Sequence, residues 1–285
     1  MIFYTIGDWG ELNDNLLKVS DSMDQMSYIK KPDFILSLGD NFYPNGVKDI
    51  NDDKWLSYYN NVFVGKNLYC PWYSILGNHD YMGNPHAQID YYLSKKDNRW
   101  TMPKRYYSIN YKFNDKNLHI IALDTVELAL MTSLSLIGEN SLTKYNINRE
   151  SKIKQLEWLE YQLKNSNADW LIVIGHYNLY SAGYHSSNKE LISILKPLFI
   201  KYNVDLYICG HCHNLEHLYD SGINYIISGA GSKTGYVHKI YQTRFAFADI
   251  GYTIHEIIDN IMTISFINDK SNIIYKIDIS QKRNL

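Results

Sequence analysis

The chain has 285 residues, enough to bury a sizeable core, and reads as a single domain over 1–285. Its 28 Lys and Arg against 30 Asp and Glu leave a net charge of −2, so no basic excess exists to neutralise a nucleic-acid backbone, and nucleic acid is not the expected partner. No run of about 18 apolar residues argues for a membrane span, and Cys70, Cys209 and Cys212 are too few and too unevenly placed for a disulfide framework.

Residues 2–6 (IFYTI) already read as a buried strand, with no basic segment and apolar stretch of the export type before them. A cytoplasmic location is therefore expected over a secreted or lysosomal one, and a monomer is expected. Leu16, Val19, Met23 and Met26 recur at steps of three and four, an amphipathic helix that ends before Pro32. FILSL (34–38) is the second strand, which completes a parallel βαβ unit. Residues 51–64 are expected to be helical, WYSIL (72–76) is a strand, and a helix is expected around Ile89–Leu93. YYSINYKF (106–113) and LHIIAL (118–123) read as a hairpin joined by Asn114-Asp115-Lys116-Asn117.

Residues 126–150 show no clean period and are expected to form a long surface loop, with a short helix within it as the alternative. Ile153, Leu156, Leu159 and Leu163 define a helix over 150–166, followed by the strand WLIVI (170–174). Residues 189–202 are helical despite Pro197, and DLYIC (205–209) is the next strand. The remainder is β-rich, with strands expected at 223–228, 245–250, 252–257, 261–267 and 272–279. Alternating β and α followed by β-rich sequence predicts an α/β (α+β) fold: two mixed β-sheets packed face to face, with helices on both outer faces.

Gly7-Asp8, Gly39-Asp40, Gly77-Asn78-His79-Asp80, Gly175-His176 and Gly210-His211-Cys212-His213 each end an apolar run. A single Gly-Asp is an ordinary turn or helix cap. The joint pattern is another matter: carboxylates, an amide and imidazoles, all at strand ends, share the carboxyl edge where open α/β sheets bind ligands. His211-x-His213 puts two imidazoles on one side of an extended segment, with Cys212 between them as a spacer pointing away. The simplest chemical use is a two-metal site that hydrolyses a phosphate ester. His119, inside LHIIAL, reads as a core histidine, and His86, His217, His238 and His255 receive no role.

These segments resemble the calcineurin-like metallophosphoesterases, and within them the mammalian-type purple acid phosphatases (tartrate-resistant acid phosphatases). The resemblance is carried by GDWG (7–10), GDNFYPNGV (39–47), GNHDYMGN (77–84), IALDTV (121–126), IGHYNLYSAGYH (174–185), CGHCHNLEHL (209–218) and SGAG (228–231). One departure selects the subgroup: most metallophosphoesterases open with Asp-x-His, whereas Gly10 stands here, and Tyr43 follows Asp40 by three residues instead. A phenolate oxygen suits Fe(III) better than softer divalent ions.

The resemblance implies the αββα metallophosphoesterase sandwich and two metal ions. Asp8, Tyr43 and His213 would hold Fe(III), Asn78, His176 and His211 would hold Fe(II), Zn(II) or Mn(II), and Asp40 would bridge them. It also implies that His79 and His185 face the substrate phosphate and protonate the leaving oxygen, with Asn78 also at the substrate. Asp80 either orients a histidine or makes a local turn contact. The implied reaction is hydrolysis of a small phosphorylated substrate or phosphoprotein at a monoester, by water that the metals activate. A phosphodiesterase or nucleotide hydrolase, and a metal-binding interaction protein without catalysis, are the alternatives. The leaving group is expected against residues 126–150 and 177–188.

Overall fold

In the computed structural model, which describes residues 1–282, the chain runs through β1 (Ile2–Ile6), α1 (Asp14–Ser27), β2 (Phe34–Ser37), β3 (Trp72–Ser74), α2 (Asn78–Tyr81), α3 (Pro85–Leu93), β4 (Trp100–Thr101), β5 (Tyr107–Phe113) and β6 (Lys116–Ala122). There follow α4 (Thr125–Leu128), α5 (Leu130–Lys144), α6 (Arg149–Asn165), β7 (Trp170–Ile174), α7 (Lys189–Lys201), β8 (Leu206–Cys209), β9 (Leu215–Asp220) and β10 (Ile223–Ser228). The last stretch is β11 (Thr243–Phe247), β12 (Gly251–Ile258), β13 (Ile261–Asn268) and β14 (Ile273–Ser280).

Two seven-stranded sheets result, one in the order β14-β13-β12-β1-β2-β3-β4 and the other β11-β9-β10-β8-β7-β6-β5. Both are mixed. In the first, β1 to β4 run parallel and β12 to β14 are added antiparallel, with Phe3 opposite Phe34 on one side of β1 and His255 on the other. The sheets are stitched where β1 and β10 end: Gly7 N donates to Ser228 O at 2.7 Å, and Ser228 Oγ donates to Thr5 O at 2.8 Å. The parallel strands are rich in Val, Ile, Leu and aromatics because both of their faces are covered. No helix among the described residues is long and apolar enough to cross a membrane.

Local chemistry explains the helices. Asn13 caps α1, its Oδ1 accepting from Leu16 N at 3.0 Å, and the predicted face Leu16, Val19, Met23, Met26 is buried. Asn148 and Ser151 form a reciprocal cap on α6. Pro197 is tolerated inside α7 because it lies on the solvent face, as does Ser193 four residues before it.

The structure differs from the sequence reading in four places. Residues 126–150 are not a loop: α5 occupies Leu130–Lys144. Gly138, at φ +75°, breaks this helix in two, so the apolar faces of its halves are out of phase and no period shows. Within 51–64 only one wide turn forms, Trp55–Asn60, where Asn61 N reaches back to Leu56 O at 2.9 Å. Packing sets that turn, since the Trp55 ring stacks on Tyr91 with centroids 3.6 Å apart. Strand β4 is two residues long, too short to show a pattern. Strand β9 was hidden because it carries Glu216 and His217, polar side chains on opposite faces that are nonetheless buried.

Candidate metal centre

Strands β1, β2, β3, β7 and β8 deliver Asp8, Asp40, Asn78, His176 and His211 to one edge of the sandwich. Sharp backbone turns do the aiming. Asp8, Asp40 and His211 all sit in the left-handed region, at φ +57°, +50° and +68°. Non-glycine residues adopt that region at a cost, which concentrates at functional sites. Gly77 has to be glycine for space: a Cβ there would lie 2.2 Å from Asp40 Oδ1.

The Tyr43 hydroxyl is the meeting point of one half of the site. It lies 3.0 Å from Asp8 Oδ1, 3.0 Å from Asp40 Oδ2 and 3.2 Å from His213 Nε2. The remaining carboxylate oxygens are fixed by backbone donors: His211 N donates to Asp8 Oδ2 at 2.7 Å, and His79 N donates to Asp40 Oδ1 at 2.8 Å. In the other half, His176 donates from Nδ1 to Leu38 O at 2.8 Å, which fixes the ring. Its Nε2 then faces Asn78 Oδ1 at 3.2 Å and Asp40 Oδ1 at 3.5 Å. The His211 ring lies 5.1 Å from His176 and stacks on His185 with centroids 3.9 Å apart. Asp40 touches both halves. Asp8, Asp40 and His176 offer ligand atoms within 4.8 Å of one another, all buried.

This donor set fits cations. One phenolic proton cannot serve two carboxylates and an imidazole, and both carboxylates are at most 1% exposed. The second half has the same shortfall: with Nδ1 committed, His176 Nε2 faces two acceptor oxygens, an arrangement that calls for a second proton or a shared cation. Burial alone would raise Asp40, yet His176, His79 and His211 outweigh it and hold the carboxyl well below its usual range. Burial would likewise lower His176, but Asp40 lifts it to about 9. Burial first, then Asp40 and Asp8, pushes the Tyr43 phenol up. A cation among these groups would relieve all three.

The structure brings together Asp8, Asp40, Tyr43, Asn78, His176, His211 and His213, with the His79 and His185 rings at their margin. His79 is held by Nδ1 to Pro44 O at 2.6 Å and stands edge-on to Tyr43 at 4.5 Å. Asp80 makes the local contact, not one to a histidine ring: it accepts from Gly77 N at 2.8 Å, Asn41 N at 3.2 Å and Gln88 Nε2 at 2.7 Å. It thereby ties the Asp40 turn to the Asn78 turn. Burial, then Asp40, raises its pKa to about 7. Cys212 Sγ points away from the ligand side, toward Asn178 Oδ1 at 3.4 Å.

A cavity of about 370 Å³ opens beside the histidines, between α5 and the 177–188 segment, lined by Met131, Leu136, Asn178, His185, Lys189 and His211. Sequence reading missed three contributors. Thr125 Oγ1 accepts from the backbone of His176 at 3.1 Å and Tyr177 at 2.9 Å. Lys233 places its ammonium 3.9 Å from the Tyr43 ring centre. Glu216 lies under the loop that carries His185. Thr125 and Glu216 lie inside matched segments, IALDTV and CGHCHNLEHL, while Lys233 had no signal.

Comparison with known proteins agrees with this geometry. The calcineurin-like phosphoesterase family profile matches residues 1–215. Human tartrate-resistant acid phosphatase type 5 is 33% identical over 299 residues, covering 96% of this chain and 89% of the human one. Purple acid phosphatase 3 of Arabidopsis thaliana is 36% identical over 239 residues, covering 81% of this chain and 63% of its own. Among solved structures, GAP50, the anchor in the inner membrane complex of Plasmodium, superposes with a TM-score of 0.85 at 29% identity, over 99% of this chain and 89% of that one. The chain belongs to the calcineurin-like phosphoesterase family, in the group of the tartrate-resistant and purple acid phosphatases. It is an acid phosphatase-like hydrolase of phosphorylated substrates, and the family implies a dinuclear metal centre here.

Proposed function

We propose that the protein hydrolyses phosphomonoesters, with Asp8, Asp40, Tyr43 and His213 holding Fe(III) and with Asp40, Asn78, His176 and His211 holding Fe(II), Zn(II) or Mn(II). The observation that carries this reading is Asp40, whose Oδ2 meets the Tyr43 hydroxyl at 3.0 Å while its Oδ1 meets His176 at 3.5 Å. An oxygen-rich anionic set favours a hard trivalent ion, and a His/His/Asn set favours a borderline divalent one. Such a pair, when bound, supplies Lewis acidity to the phosphoryl oxygens and acidifies water to a nucleophile at working pH.

The chain's own residues complete the reaction. Asn78 and the two peripheral histidines bind and orient the phosphate. His79 donates a hydrogen bond from Nδ1 to Pro44 O, which leaves Nε2 for the substrate side. The His185 pKa is lowered by burial and by His213; a phosphate dianion against the ring raises it again and charges it for proton delivery to the leaving oxygen. The cavity walled by α5 then receives the leaving group. Small phosphorylated molecules and phosphoproteins are the substrates this arrangement admits.

A second reading is favoured by one observation, the likeness to the Plasmodium protein described as an anchor. One experiment separates the readings. The full chain, loaded with iron and zinc and checked by elemental analysis, is assayed against a monoester and a diester of one alcohol. Faster monoester turnover supports the phosphatase. Faster diester turnover replaces it with a phosphodiesterase. No turnover of either, with two metals bound per chain, favours the metal-binding interaction protein without catalysis.

A further inference from the structure

Glu216 on β9 is a carboxylate with no exposed surface, and the metal centre described above does not use it. Both of its oxygens are spent on one short stretch of chain: Oε1 accepts from Ser181 Oγ at 2.7 Å and Oε2 accepts from Ala182 N at 2.7 Å. Ser181 Oγ in turn accepts from Gly183 N at 2.8 Å. Three successive residues are therefore pinned to one buried anion, two positions before His185.

The rest of that loop closes around the same point. Asn178 Nδ2 donates to Ser186 O at 2.6 Å, Ser186 N donates to Gly183 O at 3.0 Å, and His238 N donates to Ala182 O at 2.9 Å. His185 itself is seated by stacking on His211, with centroids 3.9 Å apart and rings inclined by 27°. A stacked ring slides easily, so its position follows the backbone that carries it. Burying a carboxylate is costly unless its hydrogen bonds are complete. Here that cost secures the height of one loop above the metal ligands.

We infer that Glu216 is a positioning residue for His185, holding the Ser181–Gly183 backbone so that the imidazole stands over the leaving oxygen. This inference rests on the phosphatase reading and on the role of His185 within it. Displacement of a proton donor by about 1 Å can cost on the order of 10²-fold in rate. The loss is selective: a nitrophenolate departs without a proton, whereas an alkoxide needs one.

The test uses the metal-loaded full chain, with kcat and KM measured on 4-nitrophenyl phosphate and on a simple alkyl phosphate. Glu216→Ala is expected to lower kcat on the alkyl ester by roughly 10- to 100-fold, to leave the nitrophenyl ester within a few-fold, and to keep both metals by elemental analysis. Glu216→Gln retains an acceptor for Ala182 N and can donate to Ser181 Oγ, so it is expected to recover most of the alkyl ester rate. Ser181→Ala, a milder cut in the same clamp, should show the same leaving-group signature in smaller degree. In the Glu216→Ala/His185→Ala double variant, turnover should be no slower than in His185→Ala alone. Additive losses, equal losses on the two esters, or metal loss in both Glu216→Gln and Ser181→Ala overturn the inference. If His185→Ala keeps full rate on the alkyl ester, the fault lies instead in the role given to His185.

Discussion

The ammonium of Lys233 lies 3.9 Å from the centre of the Tyr43 ring, held there by an ion pair to Glu11 at 2.9 Å. A cation over a phenol favours its ionised form, opposite to the effect of burial and the two carboxylates on Tyr43. Lys233→Met keeps the stem and removes the charge. In iron-loaded protein the tyrosinate becomes a stronger electron donor, so its visible absorption maximum should move to longer wavelength. An unchanged spectrum would remove Lys233 from the electronic description of the site.

Asp40→Asn should lower metal content and turnover together, since that side chain touches both halves of the centre. Chelation supplies the paired measurement. A ligand present at 100 times its Kd stabilises a fold by about 2.7 kcal/mol. Dialysis against a chelator should therefore lower the melting temperature of the native chain and leave that of Asp40→Asn nearly unmoved. Equal drops in the two proteins would mean that Asp40 does not bridge.

Much of this centre was legible in the sequence because Asp8, Asp40, Asn78, His176 and His211 each follow an apolar run and a glycine. Asp8, Asp40 and His211 needed no knowledge of packing: the strand ends are one edge, and that edge is the site. The side chains that support the ligands were not legible, for a physical reason. Lys233 reaches Tyr43 across the two sheets, while Thr125 and Glu216 hold loops that follow β7, far from them in sequence but in the same sheet, and no short-range pattern encodes such contacts. Lys233 looks like any surface lysine until the chain after β10 is laid over Tyr43. Helix α5 was misread as a loop because Gly138 resets its phase, so the cavity wall beside His185 was placed correctly in the chain but given the wrong form.

His79 offers a cleaner test of proton delivery than any ligand. Its backbone N–H to Asp40 survives every substitution except proline, and its ring is tied to Pro44 O rather than to a carboxylate. His79→Ala should keep both metals while kcat on an alkyl phosphate falls about 10²-fold, the lower end of general acid contributions. Loss of metal on this substitution would make the ring a ligand instead.

Stability in acid should be governed in part by a histidine far from the metals. His255 is fully buried on β12, stacked on Phe3 with centroids 4.5 Å apart and bonded through Nε2 to Thr253 Oγ1 at 2.9 Å. Burial lowers its pKa from 6.5 to about 3. Between those values the unfolded chain binds a proton that the folded chain refuses. Its contribution is therefore intact above pH 6.5 and falls as the pH drops toward 3, by about 1.4 kcal/mol per unit. Replacing the ring with one that does not titrate, His255→Phe, preserves the stack on Phe3 and leaves Thr253 its partner Thr5 Oγ1 at 2.6 Å. Urea unfolding at pH 7, 6, 5 and 4 should then show a slope shallower by close to one proton than in the native chain. Parallel slopes for the two proteins would mean that His255 takes up its proton within the fold, and that the acid sensitivity of this phosphatase arises elsewhere.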